Sequence, residues 1–569
     1  MKAGRENDMG SNPVNSTTDG KSWADNKGER LYNGIVLPEE WPPKNIDPCS
    51  TEPMAAPYLE SRPAVVQIDV GRQLFVDDFL VEANGLKRVF HKPVKYAGNP
   101  VLKAETDLEI NAPNCSAAVP KSGGVWWDPS EKIFKMWYEA GWLHAICYAT
   151  SGDGLKWERP SLDVSPGTNQ ILPLELGADS MTVVPDWDAK DTSQRYTMRF
   201  QPDTAHRRDD MGLCMTSHDG IHWMNHTVTG PVGDRSTHFY NPFRKKWVQS
   251  VRSYFRGRSR NYWESDDFLA GAKRDVGESV MWVAADRDDL PDPEIGDTPQ
   301  LYNIDAVAYE SLMLGIFEIH RGPDNEICAN LGLPKITELN FAYSRDGFHW
   351  HRPDRRAQIP AERRDVWDRG YVQSVGGLCT VRGDKLWFYY TGFQGNTNKR
   401  TKDESINSGM YDCGATGVAF LRRDGFASMD ADGNGGVLLT RPVTFSGKHL
   451  FVNADIPKGQ LRVSVLNEDG IPIAPFTMGN SIPFVGNSTL EFMRWKDGAD
   501  LSALSGKAVR FRFELTNGSL YAFWVSRDES GRSDGYVAGG GFGFTGMTDT
   551  VGRASLDALD VRRLSGSHL

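Results

Sequence analysis

Ser151-Gly152-Asp153-Gly154-Leu155-Lys156-Trp157 is a phrase that the chain repeats. It returns as Ser217-His218-Asp219-Gly220-Ile221-His222-Trp223 and as Ser344-Arg345-Asp346-Gly347-Phe348-His349-Trp350. Shorter echoes are Ser265-Asp266-Asp267-Phe268 and Arg423-Asp424-Gly425-Phe426. A phrase recurring along several hundred residues marks one supersecondary unit copied around an array. Asp-Gly is a hairpin signal, because its turn needs a positive φ. The reading is an all-β array of hairpins, with a β-propeller as the leading fold.

The flanking sequence agrees. Upstream of each turn lies an aromatic, alternating strand, at 134–138, 195–200, 246–251, 311–317 and 386–390. Before each of these lies a further apolar strand, at 123–127, 181–185, 237–240, 306–309 and 375–381. Strand, strand, strand, turn, strand, five times over, predicts a five-bladed β-propeller across 65–435. After the glycine-rich 431–436 the phrase disappears, but alternating strands return at 461–466, 489–495, 508–515 and 520–525. That pattern predicts a C-terminal β-sandwich over 436–569. Residues 1–64 read as a disordered tail that leads into an extended, proline-rich strap.

Composition narrows the function. The 569 residues carry a net charge of −11, which repels a polyanion, so nucleic acid is set aside as a partner. Aromatics make up 11% of the chain, which suits both blade packing and sugar-binding surfaces. The seven Cys include no Cys-x-x-Cys pair, which argues against a zinc knuckle or a disulfide framework. The 12 His show no metal spacing. No metal ligand set and no cofactor are therefore predicted, although a structural cation in a propeller channel is compatible with the fold. No apolar run reaches membrane-spanning length. No signal peptide is visible, so the compartment stays open: periplasmic or secreted if a leader has been removed, cytoplasmic otherwise. Oligomeric state is not legible.

In a propeller the innermost strands line a central funnel, and ligands bind at its mouth. Ionisable residues recur where those strands begin: Asp179, Asp234-Arg235 and Tyr302-Asn303-x-Asp305, with Glu109 ahead of the first blade. Converging carboxylates are what glycosidic cleavage uses, one to protonate the leaving oxygen and another to attack or to activate water. Asp179, Asp234 and Asp305 form the expected catalytic set, with Glu109 and Glu310 as reserve acids. Trp126 and Trp127 are candidate sugar platforms. Arg235, Arg252, Tyr302 and Asn303 are candidate substrate contacts. The Asp of each repeated turn is read as structural, because one active site does not need several copies.

The Asn99-Pro100-Val101-Leu102 lead-in, the repeated Ser-x-Asp-Gly-x-x-Trp turns and the C-terminal strands resemble the five-bladed propeller superfamily of glycoside hydrolase families 32, 43 and 68. The resemblance covers roughly residues 65–569. It implies a funnel site with three carboxylates from early blades, and by position it suggests Asp179 and Asp234 as members. The Trp-Met-Asn-Asp-Pro, Arg-Asp-Pro and Glu-Cys motifs of that group are absent, and Trp127-Asp128-Pro129 resembles the first only in part. The leading expectation is a glycosidase acting on a glycan or oligosaccharide. A non-catalytic carbohydrate-binding propeller is the alternative.

Overall fold

The computed structural model describes residues 26–177, 179–202, 211–275, 277–402 and 407–558. The fold is all-β and contains five antiparallel blades. Blade 1 places Ala118–Val119 and Val125–Asp128 beside Ile133–Ala140, followed by Ala145–Ser151. Blade 2 runs Asp179–Pro185, Tyr196–Gln201, Met211–Ser217, Met224–Pro231. Blade 3 runs Thr237–Asn241, Lys246–Ser253, Ser259–Ser265, Val280–Ala284. Blade 4 comprises Gln300–Glu310, Leu312–Gly322 and Ile336–Ser344, with bridges from Leu339 to Ile359 and from Tyr343 to His351 at its outer edge. Blade 5 comprises Gly370–Arg382, Lys385–Phe393 and Gly414–Arg422.

The first strands of blades 2 to 5 touch in succession, Gly370–Arg382 touches Val125–Asp128, and blade 1 meets Asp179–Pro185 through Lys121–Gly123 and Trp126, so the inner strands close a ring. The last blade borrows its outer strand: Val94–Lys95 pairs with Gly414–Arg422, which locks the start of the propeller to its end. Closure of this kind removes the exposed edge that an open array would leave. Each repeated phrase links the third strand of its blade to the fourth. Its glycines, Gly154, Gly220 and Gly347, have φ of 75°, 81° and 83°, as the turn requires.

Most of the remaining strands form one nine-stranded sheet; Val66–Gln67 pairs with Val443–Thr444 apart from it, and Tyr536–Val537 adds to blade 4. The long strand of the sheet, His449–Leu466, pairs with Gly518–Ser526 along its first half and with Arg510–Thr516 along its second. It encloses a core of its own, which includes Phe511, Phe513, Phe523, Val463 and Leu461. Two stretches differ from the expected division of the chain. The short strands between residues 66 and 90 pair with this sheet or with Val443–Thr444 rather than with a blade. Ala427–Ala431 also leaves the propeller for it. In the strap, Leu31, Ile35 and Leu37 are buried in the same core. Residues 1–25 of the expected tail lie outside the described residues. No helix among the described residues is long and apolar enough to cross a membrane.

Candidate functional site

The inner strands begin with an unusual backbone. Lys121, Ser180, Arg235 and Tyr371 open the inner edge of blades 1, 2, 3 and 5, and all four have positive φ, at 45°, 56°, 55° and 47°. A left-handed conformation costs a non-glycine residue about 1–2 kcal/mol. Four such residues at one end of one ring mark a place where side-chain direction outweighs local comfort. Two of the strands are also bulged there, between Asp179 and Thr182 and between Gly370 and Gln373, which re-aims side chains.

These side chains converge as two carboxylate pairs, each joined by a serine. The Ser180 hydroxyl lies 3.0 Å from Asp179 Oδ1 and 3.1 Å from Asp234 Oδ1, so those two oxygens are within 6.1 Å of each other. The Ser374 hydroxyl contacts Asp305 Oδ2 at 2.5 Å and Glu318 Oε1 at 2.9 Å. Arg235 links the pairs: its backbone N–H donates to Ser180 Oγ at 2.8 Å, and its Nη2 donates to Glu318 Oε1 at 3.1 Å. Asp305 Oδ2 also accepts from Ser122 and Asn303. On the blade 1 side, Lys121 Nζ donates to Glu139 Oε2 at 2.6 Å and lies over the Trp142 ring. On the blade 5 side, the Tyr302 and Tyr371 hydroxyls meet at 2.9 Å, and Lys335 Nζ lies over both rings.

The electrostatics sort these acids. Burial works to raise the Asp234 carboxyl, but Arg252, Arg235, Lys335 and Lys121 together hold it below its ordinary value. Glu318 is fully buried, and burial pushes its carboxyl up, with Arg235 pulling the other way. Glu318 Oε2 has no hydrogen-bond partner among the described residues. Burial raises Glu139 as well, against the pull of Lys121. One acid held ionised among others pushed toward the neutral form is the separation that acid–base chemistry needs.

The structure therefore brings together Asp179, Asp234, Asp305, Arg235, Arg252, Tyr302 and Asn303. Asp234 and Arg252 are the outermost, each with a side chain 31% exposed, 3.9 Å apart. Four expected residues lie elsewhere. Glu109 is a capping residue: its carboxylate accepts from the backbone of Glu105 and Thr106, from the Tyr138 hydroxyl and from Arg159. Glu310 stands at the far end of its strand, packed between Arg72 and Arg423. Trp126 and Trp127 are buried, and their indole N–H groups donate to Val183 O and Phe544 O, so neither presents a face to a sugar. Lys121, Glu139, Glu318, His320, Lys335, Tyr371 and Ser374 were not anticipated. Glu318 had a visible signal, as a charge directly after the apolar run 311–317.

The channel behind Asp305 holds a cavity of about 30 Å³, room for little more than a water, lined by Trp126, Thr182 and His238 among others. A cavity of about 1530 Å³ lies away from the funnel, between strap residues 26–57 and the edges of blades 3 and 4. Among the described residues no group of three or more His, Cys, Asp or Glu is placed to hold a metal ion.

No protein-family model matches the chain, and no curated protein matches it. Solved structures do show a partial likeness. One is an N-acetylgalactosamine deacetylase from F. plautii in complex with blood group B trisaccharide, at 14% identity and TM-score 0.39, covering 60% of this chain and 94% of the other. Another is an exo-β-1,3-galactanase from Phanerochaete chrysosporium with galactose, at 11% identity and TM-score 0.31, covering 74% of this chain and 99% of the other. Likeness at this level assigns no activity to this chain, since one fold hosts many chemistries.

Proposed function

We propose that the protein is a glycoside hydrolase whose site is the funnel mouth at Asp179 and Asp234. One observation carries the reading: two carboxylates share the Ser180 hydroxyl with oxygens within 6.1 Å, beside a second such pair on Ser374. A pair this close lies nearer the roughly 5–5.5 Å of an acid and a nucleophile flanking a glycosidic oxygen than the wider gap that leaves room for an activated water. Asp234, held ionised by its cationic surroundings, serves as base or nucleophile. Asp179 supplies the proton. Arg235 fixes the geometry between the pairs, and Arg252 meets substrate hydroxyls at the rim. Glu318 and Asp305 sit behind and tune the field.

A second reading, a carbohydrate-binding propeller without catalysis, is favoured by the burial pattern. Asp179, Asp305 and Glu318 are nearly enclosed, which leaves Asp234 as the accessible carboxylate of the set. A glycan panel separates the two. Wild-type protein is expected to release sugar from at least one glycan, and Asp179→Asn and Asp234→Asn are each expected to lose about 10²–10⁴ in rate. Glycan binding without turnover by wild type would establish the second reading. Turnover unchanged in both variants would remove Asp179 and Asp234 from the mechanism.

A further inference from the structure

Three buried arginines with no carboxylate ion pair among the described residues meet under the turn that carries Asp234. Arg199 stands on the second strand of blade 2, Arg260 on the third strand of blade 3, and Arg274 just after the short helix Phe268–Ala272. They are 1%, 2% and 6% exposed. Each donates to a carbonyl of one six-residue turn: Arg199 to Ser236 O, Arg260 Nη1 to Arg235 O at 2.9 Å, and Arg274 to Pro231 O. Their other edges are unmatched. Arg199 Nε and Nη2, Arg260 Nε and Arg274 Nη1 are buried without an acceptor among the described residues.

Carbonyls satisfy a hydrogen bond but do not neutralise a charge. A guanidinium keeps its proton, and burying an ion without a counter-charge is costly even after relaxation. The nearest candidates for that counter-charge are weak or engaged elsewhere. Glu278 acts on Arg274 only through space, with no ion pair between them, and its Oε2 accepts from the Asp275 N–H. Cys214 lies in the field of Arg199 and Arg274, but burial pushes its thiol up to about 12, so it stays neutral. Asp234 and Glu318 act on Arg260 only through space, and they are already engaged with Arg252 and Arg235. His238, also under the field of Arg199, is driven toward the neutral form by burial and carries no negative charge. The guanidinium groups feel one another as well: Arg274 and Arg260 both disfavour the charge on Arg199. Three like charges at one turn, with buried donors to spare, are the chemistry that holds a small anion.

We propose that a small inorganic anion of the chloride class binds between blades 2 and 3, against Arg199, Arg260 and Arg274. It is the counter-ion of the turn that holds Arg235 in its left-handed conformation and presents Asp234 to the funnel. Halide occupancy would then be linked to the geometry of the Asp234 site without any anion entering that site. The inference stands on the arginines alone and does not depend on the protein being a glycosidase.

The test is calorimetry of the intact protein at constant ionic strength, with gluconate replaced stepwise by chloride or bromide, alongside diffraction from crystals grown in bromide. A saturable rise of the melting midpoint is expected with either halide, together with an anomalous peak within hydrogen-bond reach of the unmatched Arg199 and Arg274 nitrogens. Arg199→Met is expected to lose the halide-dependent rise. If that variant does not fold, the wild-type bromide crystals still decide. A midpoint indifferent to the anion, or bromide crystals without a peak at the turn, would overturn the proposal.

Discussion

At the scale of single residues, the funnel is set by which charges are buried beside which. His320 shows this most directly. It stands on the second strand of blade 4, 2% exposed, edge-on to the Tyr302 ring, and its Nδ1 has no partner among the described residues. Burial first, then the charges of Lys335 and Arg258, push its imidazole down to about 3. A histidine whose folded value lies below its unfolded value of about 6.5 favours the fold fully above that pH. Its contribution is lost progressively as pH falls from about 6.5 toward about 3. The melting midpoint of wild type should therefore fall more steeply between pH 6.5 and pH 4 than that of His320→Gln, which keeps the volume but cannot take the proton. Differential scanning calorimetry of both across that window checks it. Parallel curves would mean that His320 does not carry the acid sensitivity.

At the scale of elements, the repeated turn is a device of hydrogen bonds rather than of chemistry. In each copy one Asp oxygen accepts two successive backbone N–H groups: Leu155 and Lys156 for Asp153, Ile221 and His222 for Asp219, Phe348 and His349 for Asp346. The copies differ in burial. Asp346 is 2% exposed and also engages the His349 ring, whereas Asp153 is half-buried and has no such ring partner. Asp346→Ala strands buried donors and should cost about 2–4 kcal/mol, while Asp153→Ala should cost about 1 kcal/mol. Urea unfolding of the two variants measures the difference, and equal costs would contradict this account of the turn. The turn is also why the architecture was legible. A local motif with a fixed φ requirement announces itself in sequence, so counting its copies located four third-to-fourth strand connections and the exit from blade 5. The funnel was half legible for the same reason. Asp179, Asp234-Arg235 and Asn303-x-Asp305 sit at strand starts that the turns locate. Glu139 and Glu318 stand on second strands, and Lys335 and Ser374 lie outside any phrase, so their convergence exists only once the ring is closed. Glu310 was misplaced for a related reason: it belongs to an inner strand, but to its opposite end, and a one-dimensional reading does not say which end faces the mouth.

At the scale of the whole molecule, that opposite end joins the propeller to the nine-stranded sheet. Arg72, from the chain before the first blade, pairs with Glu310 and Asp424, and Arg423 pairs with Glu310 and Asp549. All five side chains have no measurable exposure where these pairs form. The fifth copy of the turn supplies Asp424, at the point where the chain leaves blade 5 for the sheet, so the repeat there serves as a joint. Three acids share two guanidinium groups, and the arithmetic shows in the acids. Burial raises the Glu310 carboxyl, Arg72 and Arg423 pull it down, and Asp424 and Asp549 push it up again, leaving it above its ordinary value. The two kinds of substitution should therefore behave unequally. Arg423→Met leaves Glu310 and Asp549 facing each other without their shared cation and should cost about 3–5 kcal/mol. Glu310→Gln replaces an acid already pushed toward its neutral form and should cost clearly less. Neither change reaches the funnel, so hydrolysis or glycan binding per folded molecule should match wild type, in contrast to Asp234→Asn, where activity falls while the fold holds. Unfolding in urea followed by both tryptophan fluorescence and far-ultraviolet circular dichroism, with the glycan assay run on the same preparations, reads all three quantities. Loss of activity in a fully folded Glu310→Gln protein would return Glu310 to the list of catalytic acids and move the site to the joint.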